Sequence, residues 1–295
     1  PYLVADRYRK MYEENPDVVE PAFYGTITNI DENFGALERK LDELGLRDNT
    51  ILIFMTDNGG TIGVDTYNAG MRGRKTDLYE GGHRVPCFLR WPDGKLRAPG
   101  DAPCPANVQD IFPTLVESCG VAPPDIEFDG RSLMKVFKGE AENVGERTLV
   151  VQDGCHHHKR TLVVQYGCHH KRAHDVEWFG DPVKHVAAVM RGRWRLVFGK
   201  ELYDLETDPG QTTDVSEQHP DIVEDLRAYY ESWWTEREPH IFDLCHIPVG
   251  LDAEAEVCLT SHTWLSDPVT MQSTGGPSNS LRLGTAKNGP WKISV

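Results

Sequence analysis

The chain has 295 residues, 26% of them charged and 39% apolar, with seven Trp, ten Tyr and ten Phe. Such a composition builds a folded core and excludes the disordered, fibrous and collagenous classes. Thirty-one Lys and Arg against 46 Asp and Glu leave a net charge of −15, which repels nucleic-acid backbones and anionic membrane surfaces at long range. An anionic small substrate stays open, because a few local cations and a metal ion can reverse the field inside a pocket.

No apolar run reaches the roughly 18 to 20 residues of a membrane-spanning helix; the longest strong one, Thr50-Ile51-Leu52-Ile53-Phe54-Met55, has the length of a strand. The first segment begins at Pro1 and lacks the basic, apolar and small-residue regions of a signal peptide, so the expectation is a processed chain or a fragment. The seven cysteines are too few and too scattered for a disulfide scaffold, and their odd number leaves at least one unpaired.

Along residues 20–46, Phe23, Ile27, Ile30, Phe34, Leu37, Leu41 and Leu44 recur at steps of three and four, which predicts a long helix with one buried stripe and a stop at Gly45. Residues 51–56 then read as an unbroken apolar strand of the kind buried on both faces of a parallel sheet. It runs into Asp57-Asn58-Gly59-Gly60. Helix, loop, buried strand and polar loop make an α/β layout, and in open α/β sheets ligands bind beyond the carboxyl ends of the strands, where Asp57 and Asn58 fall. A second strand is expected at 85–92 and a helix at 108–119, begun or interrupted near Pro113. The pattern changes near residue 140: antiparallel strands are predicted at 147–152, 187–197 and 200–205, then a helix over 220–236. Residues beyond 239 read as an incomplete β module.

The segment Arg147-Thr148-Leu149-Val150-Val151-Gln152 recurs as Arg160-Thr161-Leu162-Val163-Val164-Gln165, each followed by Gly-Cys-His-His. Cys155, His156, His157, His158, Cys168, His169, His170 and His174 suit zinc by residue type, although their spacing matches no standard finger, and a tandem duplication in a surface loop explains them as well.

Asp57 and Asn58 offer hard oxygen donors suited to Ca²⁺ or Mg²⁺, although Asp-Asn-Gly is also a common turn. Downstream, Gly70-Met71-Arg72-Gly73-Arg74-Lys75-Thr76-Asp77-Leu78-Tyr79-Glu80-Gly81-Gly82-His83-Arg84-Val85-Pro86 is a cation-rich loop that either binds an anion or is a solvated basic turn.

These residues, with Asn29-Ile30-Asp31-Glu32-Asn33-Phe34-Gly35, Leu41-Asp42-Glu43-Leu44-Gly45-Leu46, Asp110-Ile111-Phe112-Pro113-Thr114-Leu115, Asp129-Gly130-Arg131-Ser132-Leu133, Arg193-Trp194-Arg195-Leu196 and Glu201-Leu202-Tyr203-Asp204-Leu205, appear in an ordered series. The series resembles the second half of a type I, formylglycine-dependent sulfatase of the arylsulfatase family and covers roughly residues 1–238.

The resemblance implies an alkaline-phosphatase-like α/β fold, here truncated. Residues 1–140 would form the C-terminal half of the catalytic domain, 141–240 a smaller α+β subdomain and 241–295 a partial accessory β module. It implies hydrolysis of sulfate monoesters of an aryl or carbohydrate alcohol, with Ca²⁺ or Mg²⁺ held in part by Asp57 and Asn58, and Lys75 as the catalytic cation on the sulfate. Relatives usually carry Gly-Lys-Gly where this chain has Arg74-Lys75-Thr76. His83 and Arg84 would hold the loop onto the body.

The family nucleophile, a formylglycine from a Cys/Ser-x-Pro/Ala-x-Arg motif, is matched by none of the seven cysteines; Cys104-Pro105-Ala106-Asn107 comes closest and lacks the Arg. The expectation is therefore half an active site, inactive alone, with the nucleophile in a missing N-terminal half. Two other readings stand beside it. One is a metal-dependent phosphatase or phosphodiesterase of the same superfamily, disfavoured by Asn58 where those enzymes place His. The other is a non-catalytic glycan-binding remnant whose Trp264 and Trp291 stack on sugars. Bacterial relatives are often periplasmic or secreted. The implied partner is a sulfated small molecule or glycan, with no nucleic acid and no membrane span.

Overall fold

Residues 3–102, 104–152, 184 and 186–240 are described in the computed structural model, together with the strands Ile247–Val249 and Leu283–Thr285. The chain divides into two compact units, Pro1–Asp153 with His185–Arg227, and Gly154–Lys184 with Ala228–Val295.

In the first unit, helix α1 (Asp6–Arg9) lies on helix α2 (Pro21–Glu43) at Gly25, where a Cβ would meet the backbone of Tyr8 and Arg9 at 3.0 Å. Proline at the first position starts α2 without wasting a backbone donor, and Gly45, at φ +65°, ends it. Tyr8 Oη donates to Glu32 at 2.6 Å. Strand β1 (Leu52–Met55) packs under α2 through an edge-on contact of Phe54 with Phe34, ring centroids 5.5 Å apart.

Two expectations are corrected here. The apolar face of α2 is real, but Ile27, Ile30, Leu37 and Leu44 are 47–57% exposed. Periodicity reports that a face is apolar and not that something covers it. Among the described residues, strand β1 pairs antiparallel and not in a parallel sheet. After the short helix α3 (Glu80–His83), β2 (Cys87–Arg90) runs antiparallel to β1, with Leu52 opposite Arg90 and Met55 opposite Cys87, and β1 is only half-buried. An apolar run specifies burial and leaves the direction of its neighbour open.

A 3₁₀ turn (Val108–Asp110) leads into α4 (Ile111–Ser118), and α5 (Met134–Phe137) follows. Pro113 sits in the first turn of α4, where no intrahelical N–H partner is lost. Asp110 is fully buried and organises this region. Its carboxylate accepts Arg147 Nη1 and Nη2 at 2.7 and 2.6 Å and the backbone N–H groups of Arg131 and Asn107 at 2.8 and 2.7 Å. Burial alone would raise its pKa, but these four donors outweigh it and hold the carboxyl below its usual range.

The expected antiparallel strands are present. β3 (Thr148–Gln152), β4 (Ala187–Arg191), β5 (Trp194–Val197) and β6 (Glu201–Asp204) form a four-stranded antiparallel sheet in sequence order, the 187–197 segment being folded into a hairpin at Gly192, φ +53°. Leu78 and Tyr79 pack on Ala188, Val197 and Tyr203 of this sheet in one buried cluster. Helix α6 (Pro220–Arg237) begins in the first unit, where it buries Val223 and Leu226.

In the second unit, Tyr230 stacks on Trp233 at 5.8 Å, and β7 (Ile247–Val249) pairs in parallel with β8 (Leu283–Thr285). The second repeat copy, its Cys/His cluster and both Trp264 and Trp291 lie outside the described residues. Among the described residues no helix is long and apolar enough to cross a membrane.

Candidate active site

The candidate ligands stand where the strand stops. β1 ends at Met55, and Thr56-Asp57-Asn58-Gly59-Gly60 leaves it as a loop with Asp57 exposed and Asn58 half-buried. The second loop, 70–84, closes against the first through backbone hydrogen bonds. Gly59 N–H donates to Gly82 O at 2.9 Å, and Lys75 N–H donates to Gly60 O at 2.9 Å. The structure thus brings the Lys75 backbone directly against the loop that carries Asp57 and Asn58.

Glycine is required for so close an approach. A Cβ on Gly59 would lie 1.9 Å from Gly81 O, one on Gly81 would lie 2.4 Å from Gly73 O, and one on Gly82 would lie 1.9 Å from Asp77 O. This is the physical content of the Gly59 and Gly81-Gly82 positions. Asn68 ties the loop from within, its Nδ2 donating to Met71 O and Gly73 O at 2.8 Å each. Thr76, next to Lys75, is held at φ +76°, a region that a β-branched residue rarely enters.

Besides Leu78 and Tyr79, Glu80 and Arg72 of the loop reach the four-stranded sheet, a role invisible in the sequence because the partners there are more than a hundred positions away. Glu80, 2% exposed, receives Arg195 Nε at 2.7 Å, and its backbone N–H donates to Gln211 Oε1 at 2.8 Å. Arg72 spreads its guanidinium 3.7 Å from the ring centroid of Tyr79 and donates to Tyr79 Oη at 2.9 Å, Tyr203 Oη at 2.9 Å and Gln211 O at 3.0 Å. Both phenols donate to Glu201, at 2.8 and 2.6 Å. Burial, reinforced by that carboxylate, pushes the Tyr79 phenol up to about 12 and raises Tyr203 as well. The two phenols therefore stay protonated and act as relays between cation and carboxylate.

His83 lies with Nε2 3.2 Å from Leu78 O, and burial lowers its pKa. This contact stays within the loop. Arg84 is exposed, 3.5 Å from Glu80.

The donor set of this chain suits a hard cation in part. Asp57 and Asn58 supply oxygen only, and among the described residues no group of three or more His, Cys, Asp or Glu is placed to hold a metal ion. Calcium takes six to eight oxygens, so these two residues can complete no more than part of its shell. Among the described residues Cys87, Cys104 and Cys119 are free thiols; burial raises the pKa of Cys87 and Cys104 and makes each a weaker nucleophile.

Residues 1–121 match the family model described as Sulfatase. The steryl-sulfatase of Mus musculus is 34% identical over 131 residues, which cover 41% of this chain and 21% of that protein. The N-acetylgalactosamine-6-O-sulfatase of Bacteroides thetaiotaomicron is 29% identical over 258 residues, covering 74% and 44%. Among solved structures, Ps i-CgsB in complex with k-i-k-neocarrahexaose aligns at a TM-score of 0.61 with 21% identity, over 82% of this chain and 49% of that one. The fold is thus the alkaline-phosphatase-like α/β fold of the sulfatases. This chain spans less than half the length of each of these proteins. Residues 1–121 are thus similar to the sulfatase family, and the fold of the chain is similar to that of solved sulfatase structures.

Proposed function

We propose that this chain carries the part of a sulfatase active site that grips the metal ion and the sulfate, and that the site hydrolyses sulfate monoesters. The observation that supports the proposal is the pair of backbone hydrogen bonds, Lys75 to Gly60 and Gly59 to Gly82, that joins the loop carrying Lys75 to the loop carrying Asp57 and Asn58 at a strand end. Asp57 and Asn58 would hold Ca²⁺ or Mg²⁺ as two of its ligands. When bound, such an ion draws charge from a sulfate oxygen and opens the sulfur to attack. The Lys75 ammonium, carried in on the closed loop, would neutralise a second oxygen and stabilise the charge that grows there in the transition state. The names of the relatives favour a sulfated carbohydrate or other sulfated alcohol as substrate, the galactosamine sulfatase and the carrahexaose complex pointing to glycans.

The chain alone would not turn over its substrate. No cysteine opens a formylglycine motif, and burial raises the pKa of Cys104, which weakens it as a substitute nucleophile. Calorimetry with an aryl sulfate and Ca²⁺ tests both statements. Expected are weak binding that is lost in Lys75→Ala, and no release of sulfate. Turnover abolished by Asp57→Ala would overturn the inactivity, and binding indifferent to Lys75 would overturn the site.

A further inference from the structure

The loop that carries Lys75 has a neck. Arg72 O accepts Gly81 N–H at 2.8 Å, so residues 72–81 form a closed excursion with Lys75 near its far side. The neck is gripped at two points, Arg72 on one strand of the excursion and Glu80 on the other. Both grips converge on one residue. Gln211 accepts Arg72 Nη1 on its backbone oxygen at 3.0 Å and the Glu80 N–H on its side-chain oxygen at 2.8 Å.

Gln211 is unusual in two further ways. It is fully buried, and it is held at φ +52°, a left-handed conformation that costs a non-glycine residue free energy and persists only where surrounding contacts impose it. Its turn is built for this. Asp208 accepts the backbone N–H groups of Thr212 and Thr213 at 2.7 and 2.8 Å, and Gln211 N–H donates to Asp208 O at 3.1 Å. A strained, buried amide that satisfies one donor from each side of a loop neck is a poor choice for stability alone, since glycine would relax the backbone there. It is a good choice for fixing a position.

We infer that Gln211 and Arg72 are positioning residues: the turn after β6 sets where the 72–81 loop stands, and with it the distance of Lys75 from Asp57 and Asn58. The effect passes through the side chains of Arg72 and Gln211 to the neck, and then through the backbone hydrogen bonds of Gly59 to Gly82 and of Lys75 to Gly60. This inference rests on the proposed function in assigning a purpose to the fixed distance, but not in asserting the clamp.

The test compares the full chain with Gln211→Met, which keeps the volume and loses the acceptor, and with Arg72→Gln, at a half-exposed position where misfolding is not expected. Amide hydrogen exchange is read for 57–60 and 70–84 against the amides of β5 and β6, with Ca²⁺ alone titrated in parallel. Expected is exchange faster by about tenfold or more in both loops, the size of losing hydrogen bonds to a charged group, with β5 and β6 unchanged. Asp57-dependent Ca²⁺ affinity should fall severalfold. Unchanged loop exchange, or an equal rise in β5 and β6, overturns the clamp. Faster loop exchange with unaltered Ca²⁺ affinity overturns its reach to Asp57 and Asn58. Absence of Ca²⁺ binding in the unaltered chain would count against the proposed function, while the exchange data still decide the clamp.

Discussion

Glu80 and Arg195, 115 positions apart, form a buried ion pair with Nε 2.7 Å from Oε1, and through it the loop that bears Lys75 is fastened to the central strand β5. Arg195 also donates to Gly192 O at 2.8 Å and Trp194 O at 3.0 Å, so its guanidinium is well satisfied only while Glu80 is present. Removing one partner of such a pair strands the other charge. Glu80→Ala should lower stability by about 3–5 kcal/mol, measured by urea unfolding, and adding Arg195→Met should restore part of the loss. A double variant no better than the single one would show that the pair is not coupled.

Glycine at the crossing of the two loops is predicted to be irreplaceable. A Cβ on Gly59 would lie 1.9 Å from Gly81 O, backbone that has little freedom to move, so Gly59→Ala should cost about 2 kcal/mol or more. Gly35 provides the control. It lies within α2 with only the Arg39 side chain at 3.4 Å from an added Cβ, so Gly35→Ala should stabilise by about 0.5–1 kcal/mol. Thermal melts of the two variants shifting in the same direction would contradict the geometry.

Thr76 stands at φ +76° beside Lys75. A β-branched residue in the left-handed region is strained, whereas glycine enters it freely. Thr76→Gly should therefore raise stability by about 0.5–1 kcal/mol, the relieved strain exceeding the added chain entropy of the unfolded state. A loss of stability on this substitution would show that Thr76 makes compensating contacts.

Acid should act on the protein in two windows. His83 has a lowered pKa, because burial disfavours its charged form, so its contribution is present above the unfolded value of about 6.5 and is lost as the pH falls below it. Asp110 also has a lowered pKa, here because four donors outweigh its burial. Its contribution is present above about 3.9 and disappears as the pH falls through the lower folded value. The midpoint of urea unfolding should fall first below about pH 6.5 and again below about pH 4. His83→Gln should remove the first step and leave the second.

Much of this was legible from residue order. The helix over 20–46, the strand before Asp57, the hairpin strands and the final helix are all present within a few residues of their expected limits, because periodicity and Gly or Pro punctuation report local structure directly. Partners were not legible. Nothing about Leu52-Ile53-Phe54-Met55 says that its neighbour is antiparallel, and nothing about Ile27, Ile30 and Leu37 says that the described residues leave them exposed. Glu80 and Arg72 are legible only as members of the cation-rich segment around Lys75. Their bonds to Arg195, Tyr203 and Gln211 depend on how a distant sheet packs, which no short-range pattern records.

Calcium binding bears most directly on the central claim that Asp57 and Asn58 lie in a metal-gripping half of a sulfatase site. Titration of Ca²⁺ into the 295-residue chain should show one weak site, with a dissociation constant on the order of 10⁻⁴ to 10⁻³ M given the short ligand set. That site should vanish in Asp57→Ala, weaken in Asn58→Ala, and survive replacement of Cys155 and Cys168 by Ser. Binding that persists without Asp57, or no binding at all, would contradict the claim.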